Sequence, residues 1–215
     1  MFLIGITGGV GAGKTELLSE LETMEAVRVV RADELAASLM QPGSACHDRL
    51  AEAFAGLGVF DKDGNIIKAA MSSRVISDPD RRAVCNGIVH PAVKEELLRM
   101  AEEAASEGGT DIFFIEAALL LEEGYDLICD EIWYIWASEE VRRRRLVSAR
   151  GYSEDRISAL MASQLKEEVF RTKCQRIIDN DGNLSTAREQ LNEYVRELKS
   201  RIRTSEGKPA KETAI

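Results

Sequence analysis

The chain has 215 residues, of which 45% are hydrophobic and 30% are charged. This length and composition fit one α/β domain with small insertions, and they exclude collagen, low-complexity disorder and a disulfide-rich mini-protein. The formal net charge of -9 argues against a general nucleic-acid partner, because the overall field repels phosphates. A phosphorylated ligand therefore needs a local positive site.

The cysteines and the first apolar run bear on the cellular compartment. The four cysteines lie about forty residues apart, without a C-x-x-C pair or a histidine cluster: Cys46, Cys85, Cys129 and Cys174. Such spacing is typical of reduced cytosolic thiols rather than of a zinc site. Glycines from Gly8 onward interrupt the apolar run, far short of the roughly 20 residues of a spanning helix. We expect a cytoplasmic protein with no membrane partner.

Strands and helices alternate along the sequence. Apolar and β-branched runs predict strands at 2–7, 27–30, 111–116, 131–137 and, more weakly, 176–179. Helical patterns lie between them at 14–24, 33–41, 141–173 (divided at Gly151) and 184–202. This alternation predicts one mainly parallel sheet with helices on both faces.

Two helical segments interrupt the predicted core. We expect a core of about residues 1–32, 108–138 and 175–203, with a helical insertion at about 33–107 that contains no strong strand. A second segment, about 139–174, is rich in arginine. Residues 204–215 have almost no apolar content, which predicts a disordered tail.

Residues 8–15, here called the phosphate loop, match G-x-x-x-x-G-K-[ST] between a predicted strand and a predicted helix. The backbone N–H groups that turn towards phosphates in this motif belong to Gly8, Gly9, Val10, Gly11, Ala12 and Gly13. Lys14 reaches the β- and γ-phosphates, and the Thr15 hydroxyl ligates Mg²⁺. The alternative is a glycine-rich turn with an incidental lysine, which the full motif in its proper context disfavours.

The motif predicts a nucleoside triphosphate but does not define the reaction. The N-K-x-D element that GTPases use to read the base does not occur. A small-molecule kinase is therefore the favoured class. The alternatives are a nucleoside or nucleoside-monophosphate kinase, and a module that binds ATP without turnover.

Further motifs carry a resemblance to the dephospho-coenzyme A kinase family over about residues 2–198. They lie at 4–15, 31–33, 75–79, 90–91, 116–122, 145 with 150, 164 and 178–182. The resemblance implies ATP- and Mg²⁺-dependent phosphorylation of the ribose 3′-hydroxyl of dephospho-CoA. It also implies a three-layer P-loop kinase fold, with a five-stranded parallel sheet, a helical acceptor (CoA) domain at 33–107 and a helical lid at 139–174.

The resemblance assigns catalytic roles to three residues besides Lys14. Asp33 matches the aspartate that orients or deprotonates the acceptor hydroxyl, and it lies where a strand ends and a helix begins. The alternative role for Asp33 is a helix N-cap. Arg145 and Arg150 match arginines that contact phosphates, whereas a solvated basic helix face is their alternative. Spacing does not decide which of the four arginines at 142–145 faces the phosphates.

The remaining predicted residues surround the two substrates. His90, Leu120 and Glu122 are expected at the acceptor, although a His-Pro pair is by itself more typical of a helix start. Glu116 ends a strand, where P-loop kinases hold an acidic residue near the metal's water shell, or where it belongs to an ordinary loop. Asn180 and Gly182 match the family's adenine-side loop, with a simple turn as the alternative.

Overall fold

The computed structural model describes residues 1–206 and contains one five-stranded sheet. Its strands are β1 (Phe2–Gly8), β2 (Val27–Arg31), β3 (Ile112–Glu116), β4 (Glu131–Trp136) and β5 (Arg176–Asp179). The spatial order is β2-β3-β1-β4-β5, and β1 pairs in parallel with both β3 and β4. The predicted five-stranded parallel sheet is therefore confirmed, with each strand within two residues of its expected bounds.

Nine α-helices connect the strands of the described chain. They are α1 (Lys14–Leu21), α2 (Ala32–Leu39), α3 (Ala45–Ala53), α4 (Lys68–Met71), α5 (Pro79–Glu107), α6 (Glu139–Arg150), α7 (Glu154–Ala162), α8 (Glu167–Lys173) and α9 (Leu184–Glu206). A π-helical turn (Ser72–Ile76) follows α4, and a 3₁₀ turn (Tyr125–Leu127) precedes β4. Among these helices, none has the length and apolar character of a membrane span.

The chain divides into two compact units, of which the first comprises residues 1–29 and the described chain from Ala104 on. Its core joins one face of the sheet to α1 and α9, because β1 directs Ile4 and Ile6 to the side where these helices place their leucines. Trp133 is fully buried there and makes edge-to-face contacts with Phe114 and Tyr194. This core fixes the end of β1, from which the phosphate loop begins.

Glu131 at the start of β4 connects β4 to β5 and α9. Its carboxylate accepts hydrogen bonds from Trp133 Nε1 at 3.0 Å, Arg176 Nε at 3.0 Å and Arg201 Nη1 at 2.5 Å. Burial would raise the pKa of Glu131, but the hydrogen bonds from Trp133, Arg201 and Arg176 outweigh it and lower the pKa. The carboxylate is therefore charged in the folded chain at neutral pH.

The second unit comprises residues 30–103 and is mainly helical. Phe60 and Ile66 form an antiparallel bridge that the sequence pattern did not reveal. His47 on α3 is buried, and its Nε2 lies 2.7 Å from the Gly64 carbonyl oxygen. This hydrogen bond joins α3 to the turn that follows Phe60.

Two boundaries differ from the prediction. The His90-Pro91 pair does not start a helix, because α5 runs for 29 residues with Pro91 in its interior. A proline in a helix interior loses the hydrogen bond to the carbonyl four residues earlier, which here belongs to Gly87. The helix α9 reaches Glu206, three residues into the predicted tail. Residues 207–215 of that tail lie outside the described residues.

Candidate active site

The phosphate loop joins the end of β1 to the start of α1. Gly11 (φ 80°) and Gly13 (φ 88°) adopt left-handed backbone conformations that favour glycine. Gly13 is also the N-cap of α1 and supplies no side-chain cap to the helix. The first N–H groups of α1 are therefore not capped by a side chain at Gly13, which is the arrangement that binds phosphate at helix N-termini.

The first two glycines of the loop lie against other parts of the same unit. A Cβ on Gly8 would lie 2.6 Å from the carbonyl oxygen of Ile135, on the paired strand β4. A Cβ on Gly9 would overlap the guanidinium of Arg142 on α6. The glycines thus allow both a strand and an arginine to approach the loop closely.

Lys14 and Glu116 meet beside the loop. Lys14 Nζ donates to the Gly8 carbonyl at 2.7 Å and lies 3.9 Å from Glu116 Oε1. The pairing of Ile6 with Glu116 places that carboxylate at the end of β3, next to the strand that enters the loop. Both side chains are mostly buried, so their charges interact with little screening by solvent.

Asn180 and Arg145 hold the second half of the loop. Asn180 Nδ2 donates to the Ala12 carbonyl at 2.7 Å, and Arg145 Nη2 donates to the Asn180 carbonyl at 2.8 Å. Asn180 is 2% exposed, yet its Oδ1 has no hydrogen-bond partner within residues 1–206. Asp181 continues this segment: hydrogen bonds from the Ser138 side chain and backbone N–H lower its pKa, which keeps the carboxylate charged.

Arg142 lies over the first half of the loop. Its Nη1 donates to Gln164 Oε1 at 3.3 Å, and the same oxygen accepts the Val10 N–H at 3.1 Å. The Nε of Arg142 is buried and has no acceptor in the part of the chain that the structure describes. Arg142 and Arg145 are three residues apart on α6 and thus share the helix face towards the loop. Arg143 instead pairs with acidic residues of α6 and α7.

Other predicted residues of this unit lie apart from these contacts. Arg150 is exposed at the end of α6, with its guanidinium 6.0 Å from the ring centre of Tyr152. Leu120 is fully buried and faces Gly5 of β1, which makes it a core residue in this structure, whereas Glu122 is exposed. Thr15 is exposed in the first turn of α1, and Gly182 has no neighbour that an added Cβ would meet.

Two predicted acceptor residues belong to the second unit. Asp33 is exposed and is the second residue of α2, so its alternative role as the helix N-cap is wrong. Arg31 occupies that cap, in extended conformation. His90 is half-buried within α5.

Long-range contacts of the site lie beyond what the sequence pattern could assign. Gln164 belongs to the family motifs, but its contact with Val10 spans 154 positions. The contact of Asn180 with Ala12 spans 168 positions. Nothing in periodicity or spacing signals either contact.

A glycine loop between the central strand β1 and α1, with Lys14 at its end and the strand order β2-β3-β1-β4-β5, defines the class of P-loop kinases. The sequence model of the Dephospho-CoA kinase family matches residues 2–186. The chain belongs to the dephospho-CoA kinase family.

Similar proteins agree with this family over most of the chain. A dephospho-CoA kinase from Symbiobacterium thermophilum is 34% identical, covering 89% of this chain and 79% of its own. A solved structure from Thermus thermophilus has a TM-score of 0.75 at 28% identity, covering 92% and 97%. A dephospho-CoA kinase from Campylobacter jejuni, at 17% identity and a TM-score of 0.68 over 91% and 96%, supports the fold.

Proposed function

We propose that the chain transfers the γ-phosphoryl group of ATP to the ribose 3′-hydroxyl of dephospho-CoA, forming CoA and ADP in the last step of CoA synthesis. The observation that carries this function is the phosphate loop of a dephospho-CoA kinase family member, with Lys14 and Glu116 beside it. Neither a nucleoside-monophosphate kinase nor a module without turnover is favoured.

The donor binds at the loop. Backbone N–H groups of the phosphate loop and the N-terminus of α1 accommodate the phosphates, except for those of Val10 and Ala12, which donate to Gln164 Oε1 and to the Gly9 carbonyl. The Lys14 ammonium offsets charge on the β- and γ-phosphates. Asn180 and Gly182 are the proposed adenine-side residues. The Oδ1 of Asn180 is buried and has no hydrogen-bond partner among residues 1–206, which supports this assignment, since an exocyclic amino group would satisfy it.

Mg²⁺ enters with the triphosphate in this proposal. Residues 1–206 contain no cluster of three or more acidic, histidine or cysteine side chains that could hold a metal alone. Mg²⁺ in kinases needs only one or two protein oxygens, because phosphates and waters complete its shell. The Thr15 hydroxyl and the Glu116 carboxylate fit such a donor set. When bound, the ion neutralises charge on the phosphate oxygens.

Asp33 is the proposed catalytic residue of the acceptor side. Its exposed carboxylate accepts the proton of the 3′-hydroxyl while that oxygen bonds to the γ-phosphorus. The bond between the γ-phosphorus and the bridging oxygen breaks, and ADP leaves with the electron pair. His90 and Glu122 are proposed for acceptor binding, with residues 33–107 as the acceptor domain. Leu120 was also predicted there, but it is fully buried against Gly5 and packs in the core instead.

Arginines of the proposed lid, residues 139–174, contribute positive charge. Arg145 already contacts the loop, and we propose that Arg150 approaches the phosphates when substrates bind. Lid closure also excludes water, which otherwise competes as an acceptor. We place the enzyme in the cytoplasm because Cys46 and Cys85 are buried free thiols, and Cys129 and Cys174 are also free.

The test combines ATP and Mg²⁺ with either dephospho-CoA or a panel of nucleoside monophosphates. We expect ADP and a 3′-phosphorylated product in the reaction with dephospho-CoA and no phosphorylated product in the reactions with nucleoside monophosphates. Product only from the nucleotides would make the chain a nucleotide kinase, and no product from any acceptor would make it a binding module.

The variant Asp33→Asn tests the catalytic assignment. We expect a fall in turnover of roughly a hundredfold or more, with unchanged ATP affinity, because the proton acceptor alone is lost. Glu34→Gln is the matched control, since Glu34 is the next exposed carboxylate on α2 and pairs with Arg31. Equal losses in the two variants would remove Asp33 from the mechanism.

A further inference from the structure

Gln164 and Arg142 connect the phosphate loop to residues 139–174, the proposed lid. Gln164 lies between α7 and α8, and its side-chain oxygen accepts one N–H from the phosphate loop and one from α6. This single oxygen therefore joins three separate segments of the first unit. A merely solvated glutamine has no such set of partners.

The guanidinium of Arg142 keeps one buried donor without an acceptor among residues 1–206. Its Nη1 binds Gln164 and lies against Gly9, whereas its Nε is buried and has no acceptor among residues 1–206. A buried charged donor without a partner is energetically costly. The charge of Arg142 helps to lower the pKa of Glu167, but no acceptor among residues 1–206 meets its Nε. A donor left over in this way beside a phosphate-binding loop indicates a further anionic partner.

The position of Arg142 indicates which phosphate it contacts. Gly9 follows Gly8, whose carbonyl binds the Lys14 ammonium. Since that ammonium serves the β- and γ-phosphates, Arg142 lies at the same end of the bound triphosphate. Arg145 differs, because its guanidinium donates to the carbonyls of Ala12 and Asn180.

We propose that Gln164 is a positioning residue that holds Arg142 over the first half of the phosphate loop, where Arg142 binds the terminal phosphate of ATP. This inference rests on the proposed function, in which ATP is the phosphoryl donor. It assigns Arg145 chiefly to loop structure and Arg142 to recognition of the γ-phosphate. ADP lacks that phosphate, so Arg142 distinguishes ATP from ADP.

Calorimetric titration of the full chain with ATP and with ADP tests the assignment. We expect Arg142→Ala to weaken ATP binding roughly ten- to hundredfold, as for the loss of a hydrogen bond to a charged group, and to leave ADP binding nearly unchanged. Arg144→Ala is the control, because Arg144 is an exposed arginine of the same helix. Equal losses for both nucleotides, or none for ATP, would overturn the inference.

Gln164→Ala and the double variant with Arg142→Ala test the coupling. If Gln164 acts through Arg142, the double variant loses no more ATP affinity than Arg142→Ala alone. Additive losses would assign Gln164 an independent role and refute positioning. Thermal melting of each variant identifies any general loss of folding, which would lower ATP and ADP binding together.

The two proposals fail in different ways. If the wild-type chain binds ATP but does not phosphorylate dephospho-CoA, the proposed function fails, and the ratio of ATP to ADP affinity still tests Arg142. If dephospho-CoA is phosphorylated and the ratio is unchanged in Arg142→Ala, the function stands and the role of Arg142 is refuted.

Discussion

Substitutions at two adjacent glycines of the phosphate loop should change different properties. We expect Gly8→Ala to lower the stability of the fold and Gly9→Ala to weaken nucleotide binding. In Gly8→Ala, the new methyl group would lie 2.6 Å from the carbonyl oxygen of Ile135, which belongs to the backbone of a paired strand. In Gly9→Ala, the three atoms nearest to the methyl group all belong to the flexible side chain of Arg142. Neither glycine has a positive φ, so backbone strain does not distinguish the two variants.

The different neighbours predict different free energies of unfolding. A backbone oxygen in a sheet cannot move without disturbing its strand, and such overpacking costs about 3 kcal/mol. The reduced entropy of the unfolded chain offsets up to about 1 kcal/mol of this loss. The net loss of about 2 kcal/mol corresponds to a fall in Tm of roughly 4–8 °C for Gly8→Ala. A flexible arginine can move, so we expect a change of less than about 2 °C for Gly9→Ala.

Thermal denaturation followed by circular dichroism measures the first effect, and titration with ATP measures the second. Gly9→Ala displaces Arg142 and should therefore weaken ATP binding about tenfold while Tm is maintained. Equal Tm values for the two variants would refute the argument from the close approach of Gly8 to β4. Wild-type ATP affinity in Gly9→Ala would contradict the placement of Arg142 over the loop.

Two further predictions concern stability. Thr7 is fully buried, and its hydroxyl has no partner among the described residues; Thr7→Val should therefore raise the free energy of unfolding in urea by about 1 kcal/mol, and a loss would indicate a partner for the hydroxyl. The lowered pKa of Glu131 means that its charged form stabilises the fold above about pH 4.5 and that this stability is lost as the pH falls. Urea melts should thus show a steeper loss of stability below pH 4.5 in the wild type than in Glu131→Gln, and parallel curves would exclude this role.

The sequence predicted the central strands well because β1, β3 and β4 are largely buried on both faces and read as continuous apolar runs. The run at 112–116 is fully buried except for Glu116, and β1 behaves in the same way. The long helix α5 was not predicted, because Pro91 is normally a break signal. A local rule applied to Pro91 alone does not include the packing of the rest of the helix, in which Val89, Val93 and Leu97 are buried.

The phosphate loop was predictable because its functional groups are contiguous in sequence. The positions of Lys14 and the loop glycines follow from local backbone geometry, and one contiguous motif encodes that geometry. The contacts of Gln164 and Asn180 depend instead on how the tertiary fold brings α6, α8 and β5 close to the loop. Residue spacing along the chain carries no information on such long-range contacts. The family motifs could therefore single out these residues but could not predict their partners.

The pairing of the lid arginines explains how a chain with a negative net charge forms a positive site for phosphates. The arginines of the lid do not act as one basic surface, since Arg143 pairs with two glutamates and Arg171 pairs with Glu167. Ion pairs of this kind cancel the field at a distance. Arg142, Arg145 and Lys14 lie directly at the loop instead, so attraction of a triphosphate depends on a few short contacts. The binding of ATP should accordingly be more sensitive to Arg142→Ala than to the loss of any paired lid arginine.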